Sequence, residues 1–426
     1  MHGGPITGKM SARAGISHAA AGAALVAAAL VAAALVAAAP VACGRLMTEP
    51  PLDADVLDAP IAGLTQAELA TFARGDAEFG RPFAPNTGLG PIFNNVSCAS
   101  CHSGDGRGRP ENALRRIGSA NDGFLASLGG PQIQDKAIAG ADPETVPSGV
   151  AVSLRLPPPV FGVGLIEAIP DAAILVLADS LDANGDGISG RPNWVTGADY
   201  VPAYEPGGGA GVRLGRFGRK AQTPTLLQQT VEAYHQDIGI TSDFRPVENR
   251  NPRSSVPTEA ADRAGDPEVP AATVFAVVQY IRTLAPPAPG AATALRLEGR
   301  LLFDQLRCAG CHATSLTTGP SRVAALANRP VALYSDLLLH DMGDALADNR
   351  PDGSADGREW RTAPLWGLRL MRRFLNGDAF LLHDGRARSV DEAIRLHGGE
   401  AKASRDAFLA LTSAQRAALL DFVESR

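Results

Sequence analysis

The sequence predicts a mainly α-helical, loop-rich protein built from two tandem units of one type. Aromatic residues make up only 5% of the 426 residues, whereas glycine (46) and proline (32) are frequent, which favours short helices joined by loops over a β-sandwich. A C-x-x-C-H motif occurs twice, at Cys98–His102 and Cys308–His312. Each half of the chain also closes with an apolar helical pattern, at 271–284 and 412–426. A repeated motif with a repeated closing helix indicates a duplicated unit.

The first unit is predicted over 64–285 and begins with a helix. The pattern LTQAELATFARGDAEF places Thr65 where it can cap the helix, and Glu68 three residues later completes a capping box. A second helix is expected to lead directly into the first motif over GPIFNNVSCASCH, with Phe93 five residues before Cys98.

The second unit is predicted over 292–426, after a proline-rich linker at 286–291. Its entry helix, LRLEGRLLFDQLRCAGCH, carries Phe303 five residues before Cys308, the same spacing as in the first unit. The two motifs are therefore expected to be entered in the same way.

The N-terminus is predicted to be an export signal over 1–42, followed by a leader over 43–63. Lys9 and Arg13 precede an apolar run from Ala19 to Cys43, as in a signal peptide, although a run of this length could also be a retained membrane helix. Cys43 after PVA resembles a lipoprotein acylation site. The sequence therefore predicts a periplasmic protein, either soluble or anchored to the membrane through a lipid on Cys43.

Charge is weakly informative about partners. The formal net charge is -6 at pH 7, and no basic block stands out. Nucleic acid is therefore not expected as a partner.

The cysteines point to haem. Four of the five belong to the two C-x-x-C-H motifs, namely Cys98, Cys101, Cys308 and Cys311, so none remains for a disulfide framework. In such a motif the two thiols add to the vinyl groups of a haem and the histidine ligates the iron. A zinc site needs two close cysteine pairs, and a thioredoxin-like pair follows a strand. We therefore predict two cytochrome c-like domains with covalently bound haem c, haem 1 on His102 and haem 2 on His312.

The sixth iron ligands distinguish electron transfer from catalysis, because an open position can bind a small molecule. The first unit has no methionine between residues 48 and 285, and its only other histidine is His235. Haem 1 is therefore five-coordinate, ligated by His235, or held by an unusual group. The second unit offers Met342, His340, His383 and His397.

Several longer segments carry a family resemblance. They are GLGPIFNNVSCASCH, PPVFGVGLIEAIPD, DANGDGISGRPNWV, GRFGRKAQTPTLLQQ, LLLHDMGDALADNRPDGSADGREWRTAPLWGL and FLLHDGRARSVDEAIRLHGGEA. Together they resemble the di-haem oxidoreductase family of peroxidases, once described as thiol oxidoreductases, from about Thr65 to Arg426. That family in turn resembles bacterial di-haem cytochrome c peroxidases and the di-haem enzymes that mature methylamine dehydrogenase.

The resemblance implies roles for three residues. In the peroxidases the second haem takes a methionine fourteen residues after the histidine of an H-D-G segment, and here that position, counted from His383, is His397. An imidazole in place of a thioether lowers the reduction potential of haem 2. A distal glutamate acts as acid and base at the first haem, and Glu167 stands in the matching region. His235 competes with it as a ligand or pocket residue.

Two further features follow from residues and resemblance together. DANGDGISG spaces Asp182, Asn184 and Asp186 like the start of a calcium loop, but Asn193 stands where a bidentate glutamate is expected, so the alternative is an Asx-rich turn. The related enzymes relay electrons through a tryptophan between the haems, and Trp194, Trp360 and Trp366 compete for that position. AQTPTLLQQ is a candidate wall of the haem 1 pocket.

The function predicted first is reduction of hydrogen peroxide at haem 1, with electrons from a small electron-donor protein or a quinol-linked cytochrome entering through haem 2. The second is a di-haem enzyme that oxidises a thiol or a protein substrate. The third is a di-haem cytochrome that only transfers electrons, with both irons six-coordinate. The sixth position of haem 1 separates the third from the first two.

Overall fold

The computed structural model describes residues 55–119, 122–257 and 261–426, together with Met1 and Gly4. The predicted signal over 1–42, Cys43 and most of the leader lie outside the described residues. From residue 55 onward the described chain belongs to one compact unit. None of the helices in these described ranges is both long enough and apolar enough for a membrane span.

The α-helices follow one another along the whole unit, and most of them are short. In chain order they are α1 Gln66–Gly80, α2 Cys98–Cys101, α3 Val163–Glu167, α4 Asp171–Leu175, α5 Leu226–Ala233, α6 Ala271–Thr283, α7 Ala294–Gln305, α8 Leu368–Phe374, α9 Val390–Leu396, α10 Lys402–Ala410 and α11 Ser413–Glu424. A π-helical turn, Tyr234–Ile238, continues α5.

Short strands form five small antiparallel sheets within the described residues. They are β1 Ile92–Phe93, β2 Leu114–Gly118, β3 Gln132–Ile133, β4 Lys136–Ala137, β5 Ala151–Arg155, β6 Trp194–Gly197, β7 Gly211–Leu214, β8 Leu316–Thr317, β9 Pro330–Val331, β10 Leu339–Asp341 and β11 Glu359–Arg361. The pairs are β1–β4, β6–β7, β8–β9 and β10–β11, and β2 pairs with both β3 and β5. The sequence did not predict these sheets, because strands of two to five residues leave little alternating pattern. The mainly α prediction therefore describes the helix pairs and not the segments between them.

The first helix pair is α1 with α6. Thr65 and Glu68 form the predicted capping box at the start of α1. Gly75 lies where the two helices cross, and a Cβ there would lie 2.2 Å from the carbonyl oxygen of Ala276. Only glycine permits an approach this close, so the crossing of the two helices depends on glycine at this one position.

The second helix pair, α7 with α11, repeats this arrangement. Thr412 caps α11 with a capping box, and a Cβ on Gly299 would lie 2.1 Å from the carbonyl oxygen of Ala418. In both units a phenylalanine follows the crossing glycine by four residues: Phe79 after Gly75 and Phe303 after Gly299. The rings lie 6.0 Å from His102 and 6.4 Å from His312, centroid to centroid. The two units thus share one helix-crossing design beside each motif histidine.

The helix predicted directly before the first motif is wrong. Ile92–Phe93 form strand β1, and Ser97 caps the short helix α2 that holds the motif. The counterpart of Phe303 is Phe79 and not Phe93. In the first unit a loop and a strand separate the crossing helix from the motif, so equal spacing to the cysteine was a misleading signal.

Two main hydrophobic cores support these helix pairs. The larger surrounds α1 and α6 and also includes Leu333, Leu338 and Trp366 from the predicted second unit. The smaller surrounds α7 and α11 with Phe303 and Phe422. Side chains from beyond residue 291 thus complete the first core, while the predicted domain boundary at 286–291 stays a prediction.

Candidate functional site

Each C-x-x-C-H motif lines a cavity of its own. The His102 N–H donates to the carbonyl of Cys98 (3.0 Å), and the His312 N–H donates to the carbonyl of Cys308 (2.9 Å), so each motif forms one helical turn. The cavity at the first motif, called cavity 1 below, has a volume of about 530 Å³. The cavity at the second motif, cavity 2, has a volume of about 220 Å³.

The first cysteine of each motif is held as a thiol and not as a thiolate. Burial raises the pKa of the Cys98 and Cys308 thiols to about 12. A redox-active cysteine needs a stabilised thiolate, which is the opposite shift. Because the two cysteine pairs line different cavities, they also cannot share one zinc ion.

Cavity 2 is lined by two imidazoles that each donate a hydrogen bond to a backbone carbonyl through Nδ1. The His312 Nδ1–H donates to the carbonyl of Tyr334 (2.9 Å), and the His397 Nδ1–H donates to the carbonyl of Ala393 (2.7 Å). In each ring the Nε2 atom is left as the nitrogen with a free lone pair. Partial burial lowers the pKa of both histidines, that of His312 to about 4. Both rings line cavity 2, so both would be able to hold a haem iron there.

The other candidates for the haem 2 ligand differ in availability. His340 bonds Asp336 through Nε2 (2.8 Å) and Glu400 through Nδ1 (2.7 Å). Burial opposes charge on this ring. The hydrogen bonds to Asp336 and to the other partners of the ring outweigh this effect, so the pKa of His340 is raised well above its usual range. A charged imidazole has no lone pair for iron.

Met342 and His383 also line cavity 2. The His383 ring stacks on Trp360, with centroids 3.7 Å apart and planes inclined by 7°. Burial lowers the pKa of His383 to about 4, so Met342 and His383 both remain competitors of His397 for the haem 2 iron.

Cavity 1 contains no comparable pair. Among its lining residues in the described chain, His102 is the only histidine, and there is no methionine. Partial burial lowers the pKa of His102 to about 4, so this ring is also neutral. The two cavities therefore differ in their lining: cavity 2 offers a second imidazole, and cavity 1 does not.

The wall of cavity 1 is polar where α5 and the following π turn face it. Gln228 and Gln229 line the cavity from the segment AQTPTLLQQ, and Thr230, Gln236 and Asp237 continue the wall beyond it. Gln229 Oε1 and Thr230 Oγ1 are buried without a hydrogen-bond partner. Buried polar atoms are rarely left unpaired, so these two atoms mark a place for water or a polar ligand.

Asp237 is a titratable group in this wall that sequence reasoning missed. Gln132 Nε2 donates to Asp237 Oδ1 at 2.6 Å. Burial raises the pKa of Asp237 to about 6, with the bond from Gln132 opposing the shift. In the sequence, the only signal for Asp237 is its position two residues after His235. The structure adds that both residues lie in a π-helical turn, a feature often found at functional sites.

The two residues predicted as catalytic do not line cavity 1. Glu167 is buried, where Oε1 accepts from the Leu226 N–H (3.0 Å) and Oε2 accepts from Arg282 Nε (2.6 Å). The His235 Nε2–H donates to the carbonyl of Val247 (2.9 Å). Glu167 thus holds the start of α5 in place, and His235 holds a loop, so neither faces the motif.

The DANGDGISG loop closes on itself. Asp182 Oδ1 and Asn184 Oδ1 both accept from the Asp186 N–H, at 2.9 and 2.8 Å. Asp186 also pairs with Arg307, the residue before Cys308 (2.8 Å). These bonds are those of an Asx-rich turn docked beside the second motif, and calcium at this loop stays a prediction.

A different acidic group in the described chain is compact enough to hold a cation. Carboxylate oxygens of Glu248, Asp266 and Glu268 all lie within 4.8 Å of one another. Burial, then the charges of Glu268 and Asp266, raise the pKa of Glu248 to about 9. No motif marked this group in the sequence, since its members are brought together by the loop that precedes α6.

The tryptophans divide between the cavities. Trp360 lines cavity 2, whereas Trp366 and Trp194 line cavity 1. Trp194 is 43% exposed, so it reaches from the cavity to the surface.

Both sites meet the requirements of a haem c. Each offers two thiols, a neutral histidine and an enclosed, largely apolar space. Two separate cavities with one C-x-x-C-H motif each are the arrangement expected of a two-haem redox protein.

Comparison with known sequences agrees with this class. The sequence profile of the family described as "Di-haem oxidoreductase, putative peroxidase" matches residues 54–118 and 141–426. The chain belongs to this family, which makes haem its expected cofactor. Among curated proteins, none matches the sequence.

Two solved structures are similar over most of the chain. One is the Kuenenia stuttgartiensis hydrazine synthase pressurised with xenon, at 14% identity and a TM-score of 0.35, covering 89% of this chain and 96% of that chain. The other is a MauG-like protein associated with microbial copper homeostasis, at 14% identity and a TM-score of 0.36, covering 89% and 94%. At such low TM-scores neither likeness bears on function.

Proposed function

We propose that this protein is an exported di-haem c-type oxidoreductase that reduces hydrogen peroxide in cavity 1. Electrons enter through haem 2, which is attached to Cys308 and Cys311 and held by His312 and His397. Haem 1 is attached to Cys98 and Cys101 and held by His102 alone. The observation that carries the proposal is the difference between the two cavities, since only cavity 2 presents a second neutral imidazole.

When bound at His102 with an open sixth position, haem supplies an iron that can bind and activate a peroxide. The chain supplies the proton handling. Asp237, as a carboxylate, accepts a proton from one oxygen of hydrogen peroxide and returns it to the oxygen that leaves as water. Over the whole reaction two electrons and two protons convert one hydrogen peroxide to two waters.

The polar wall positions the substrate. Gln229 and Thr230 carry buried oxygens without partners in the same wall as Asp237. Each can accept a hydrogen bond from a peroxide O–H and so orient the molecule for proton transfer to Asp237. This assigns to α5 and its π turn the role that the family resemblance suggested for Glu167.

Export and the electron donor are part of the proposal. The charged and apolar N-terminal pattern of residues 1–42 supports export to the periplasm, and Cys43 is the residue on which a lipid anchor would form. A small electron-donor protein or a quinol-linked cytochrome is the kind of partner that can deliver single electrons to haem 2 there.

EPR spectroscopy of the holoprotein tests the difference between the haems. We expect a low-spin bis-histidine signal from haem 2 and a high-spin or water-ligated signal from haem 1, with peroxide turnover when a reduced dye supplies electrons. Two low-spin signals in every redox state without turnover would leave only the electron-transfer function. Turnover of thiols without turnover of peroxide would favour the second predicted class of enzyme.

Replacing Glu167 by glutamine is expected to cost stability and to spare the chemistry. The change removes one partner of a buried ion pair, an effect of roughly 3 kcal/mol in the free energy of unfolding. Chemical denaturation of the holoprotein measures the loss. Glu205→Gln is the matched control, because it removes the other carboxylate that pairs with Arg282, at 2.6 Å, and leaves Glu167 in place. Full stability with lost peroxide turnover in Glu167→Gln would instead make Glu167 a catalytic residue.

A further inference from the structure

Three arginines form a wall between the two cavities. Arg107, Arg219 and Arg361 line cavity 1 and cavity 2 alike, with Ala363 and Pro364 beside them. They come from distant parts of the chain. Arg107 follows the first motif, Arg219 lies in the loop between β7 and α5, and Arg361 ends β11. The fold therefore gathers three positive charges at the only wall that these two cavities share in the described chain.

The hydrogen bonds of these arginines go to backbone carbonyls. Arg107 Nη1 donates to the carbonyls of Phe380 and Leu382, both at 2.9 Å. Arg219 donates twice to the carbonyl of Leu156, at 3.0 and 2.7 Å, and Arg361 Nε donates to that of Gly218 at 3.0 Å.

The guanidinium groups have hydrogen-bond capacity left over. Arg107 Nε and Arg361 Nη1 are buried with no partner. Each points to an acceptor that the protein atoms do not provide.

The three arginines have no carboxylate in direct contact, and only the longer-range charges of Asp336 and Asp384 favour the ionised forms of Arg361 and Arg219. Over residues 55–119, 122–257 and 261–426, no carboxylate forms an ion pair with any of them. Arg107 and Arg219 are only 8% and 7% exposed. Burial lowers the pKa of Arg107 and of Arg361 to about 10, and burial followed by the charges of Arg107 and Arg361 lowers that of Arg219 well below its usual range.

This arrangement is costly unless an anion is present, because a buried charge without a partner is strongly unfavourable. Other buried arginines of this protein form ion pairs with carboxylates. Arg155 contacts Asp352 at 2.5 Å and Arg350 also pairs with Asp352. Among the buried arginines of the described residues, the two without an ion pair, Arg107 and Arg219, both lie in the wall between the cavities, which points to anions supplied from the cavities themselves.

We propose that Arg107, Arg219 and Arg361 are a shared binding site for the propionate groups of both haems. Each haem carries two propionates, and a guanidinium binds a carboxylate through two parallel hydrogen bonds. The proposal rests on the two-haem content of the proposed function. It makes these arginines positioning residues, which place the propionate edges of the two haems against one wall and set the electrostatic potential at both irons.

The consequence is that one substitution changes both haems. Removing a positive charge, and leaving a propionate unpaired, stabilises the ferric state over the ferrous state. Arg361→Gln is therefore expected to shift the reduction midpoints of haem 1 and haem 2 downward together. Arg361→Lys keeps the charge and should give a smaller shift.

Spectroelectrochemical titration of the holoprotein measures the two midpoints, after haem staining and the pyridine haemochrome assay have established two haems per chain. Arg155→Gln is the control, because Arg155 lines cavity 1 and not cavity 2 and should shift at most one midpoint. If Arg361→Gln loses haem, resonance Raman bands of the propionates in Arg361→Lys replace the titration, and we expect them to shift.

Two haems with unchanged midpoints in Arg361→Gln and Arg107→Gln, or unchanged propionate bands in Arg361→Lys, overturn this inference and leave the proposed function intact. A wild-type protein with fewer than two haems overturns the proposed function and this inference with it.

Discussion

Replacing Asp237 by asparagine is expected to lower kcat/KM for hydrogen peroxide by about 10²- to 10⁴-fold, the usual contribution of a positioned acid–base group. The amide keeps the shape of the side chain and can still accept the hydrogen bond from Gln132, so the fold of the π turn should survive. What it loses is the ability to take up and return a proton. Steady-state turnover with a reduced dye measures the effect.

The pH dependence gives this prediction a second readout. Burial raises the pKa of Asp237 to about 6, and the ionised carboxylate is the form that accepts the proton of peroxide. In the wild-type protein kcat/KM should therefore rise as the pH increases through about 6, and in Asp237→Asn that rise should disappear. Glu167→Gln is the control and should keep the wild-type profile. An Asp237→Asn variant with full activity and an unchanged profile would remove the acid–base assignment.

Replacing His397 by methionine is expected to raise the reduction potential of haem 2. A thioether donates less electron density than an imidazole, so it favours the ferrous iron. The increase should be on the order of 0.1 V, part of the ~0.8 V over which axial ligands set haem potentials. The bis-histidine EPR signal of haem 2 should be lost in the same variant, while the signal of haem 1 stays.

Met342→Leu is the matched control for this exchange, because Met342 lines the same cavity. It should leave the potential and the EPR signal of haem 2 unchanged. A large change in Met342→Leu, together with an unchanged spectrum in His397→Met, would make Met342 the ligand. The pair of variants thus decides between His397 and Met342.

The features that sequence reasoning predicted well are local ones. The helices at Gln66–Gly80 and Ser413–Glu424 begin at capping boxes, and such a signal is complete within four residues. The helix before the first motif was mispredicted because its spacing copied that of the second unit. A strand occupies that place, and the ring beside His102 comes instead from Phe79.

The roles of the residues at cavity 1 were harder to predict from the sequence. Glu167 has a suitable chemical type and a family resemblance in its favour, but its carboxylate is occupied by the Leu226 N–H and by Arg282. Asp237 carried no motif. Its contact with cavity 1 depends on how α5 and the π turn pack near the first motif, which lies far earlier in the chain.

By itself, the sequence determined that this chain has two C-x-x-C-H motifs with helix pairs around them, and that a methionine ligand is missing from the first unit. These are properties of short segments and of residue counts. Only the tertiary structure shows that His397 and His312 line one cavity, that Asp237 and not Glu167 lines the cavity of the first motif, and that Arg107, Arg219 and Arg361 share a wall. Each of these depends on contacts between residues far apart in the chain, which no local pattern encodes.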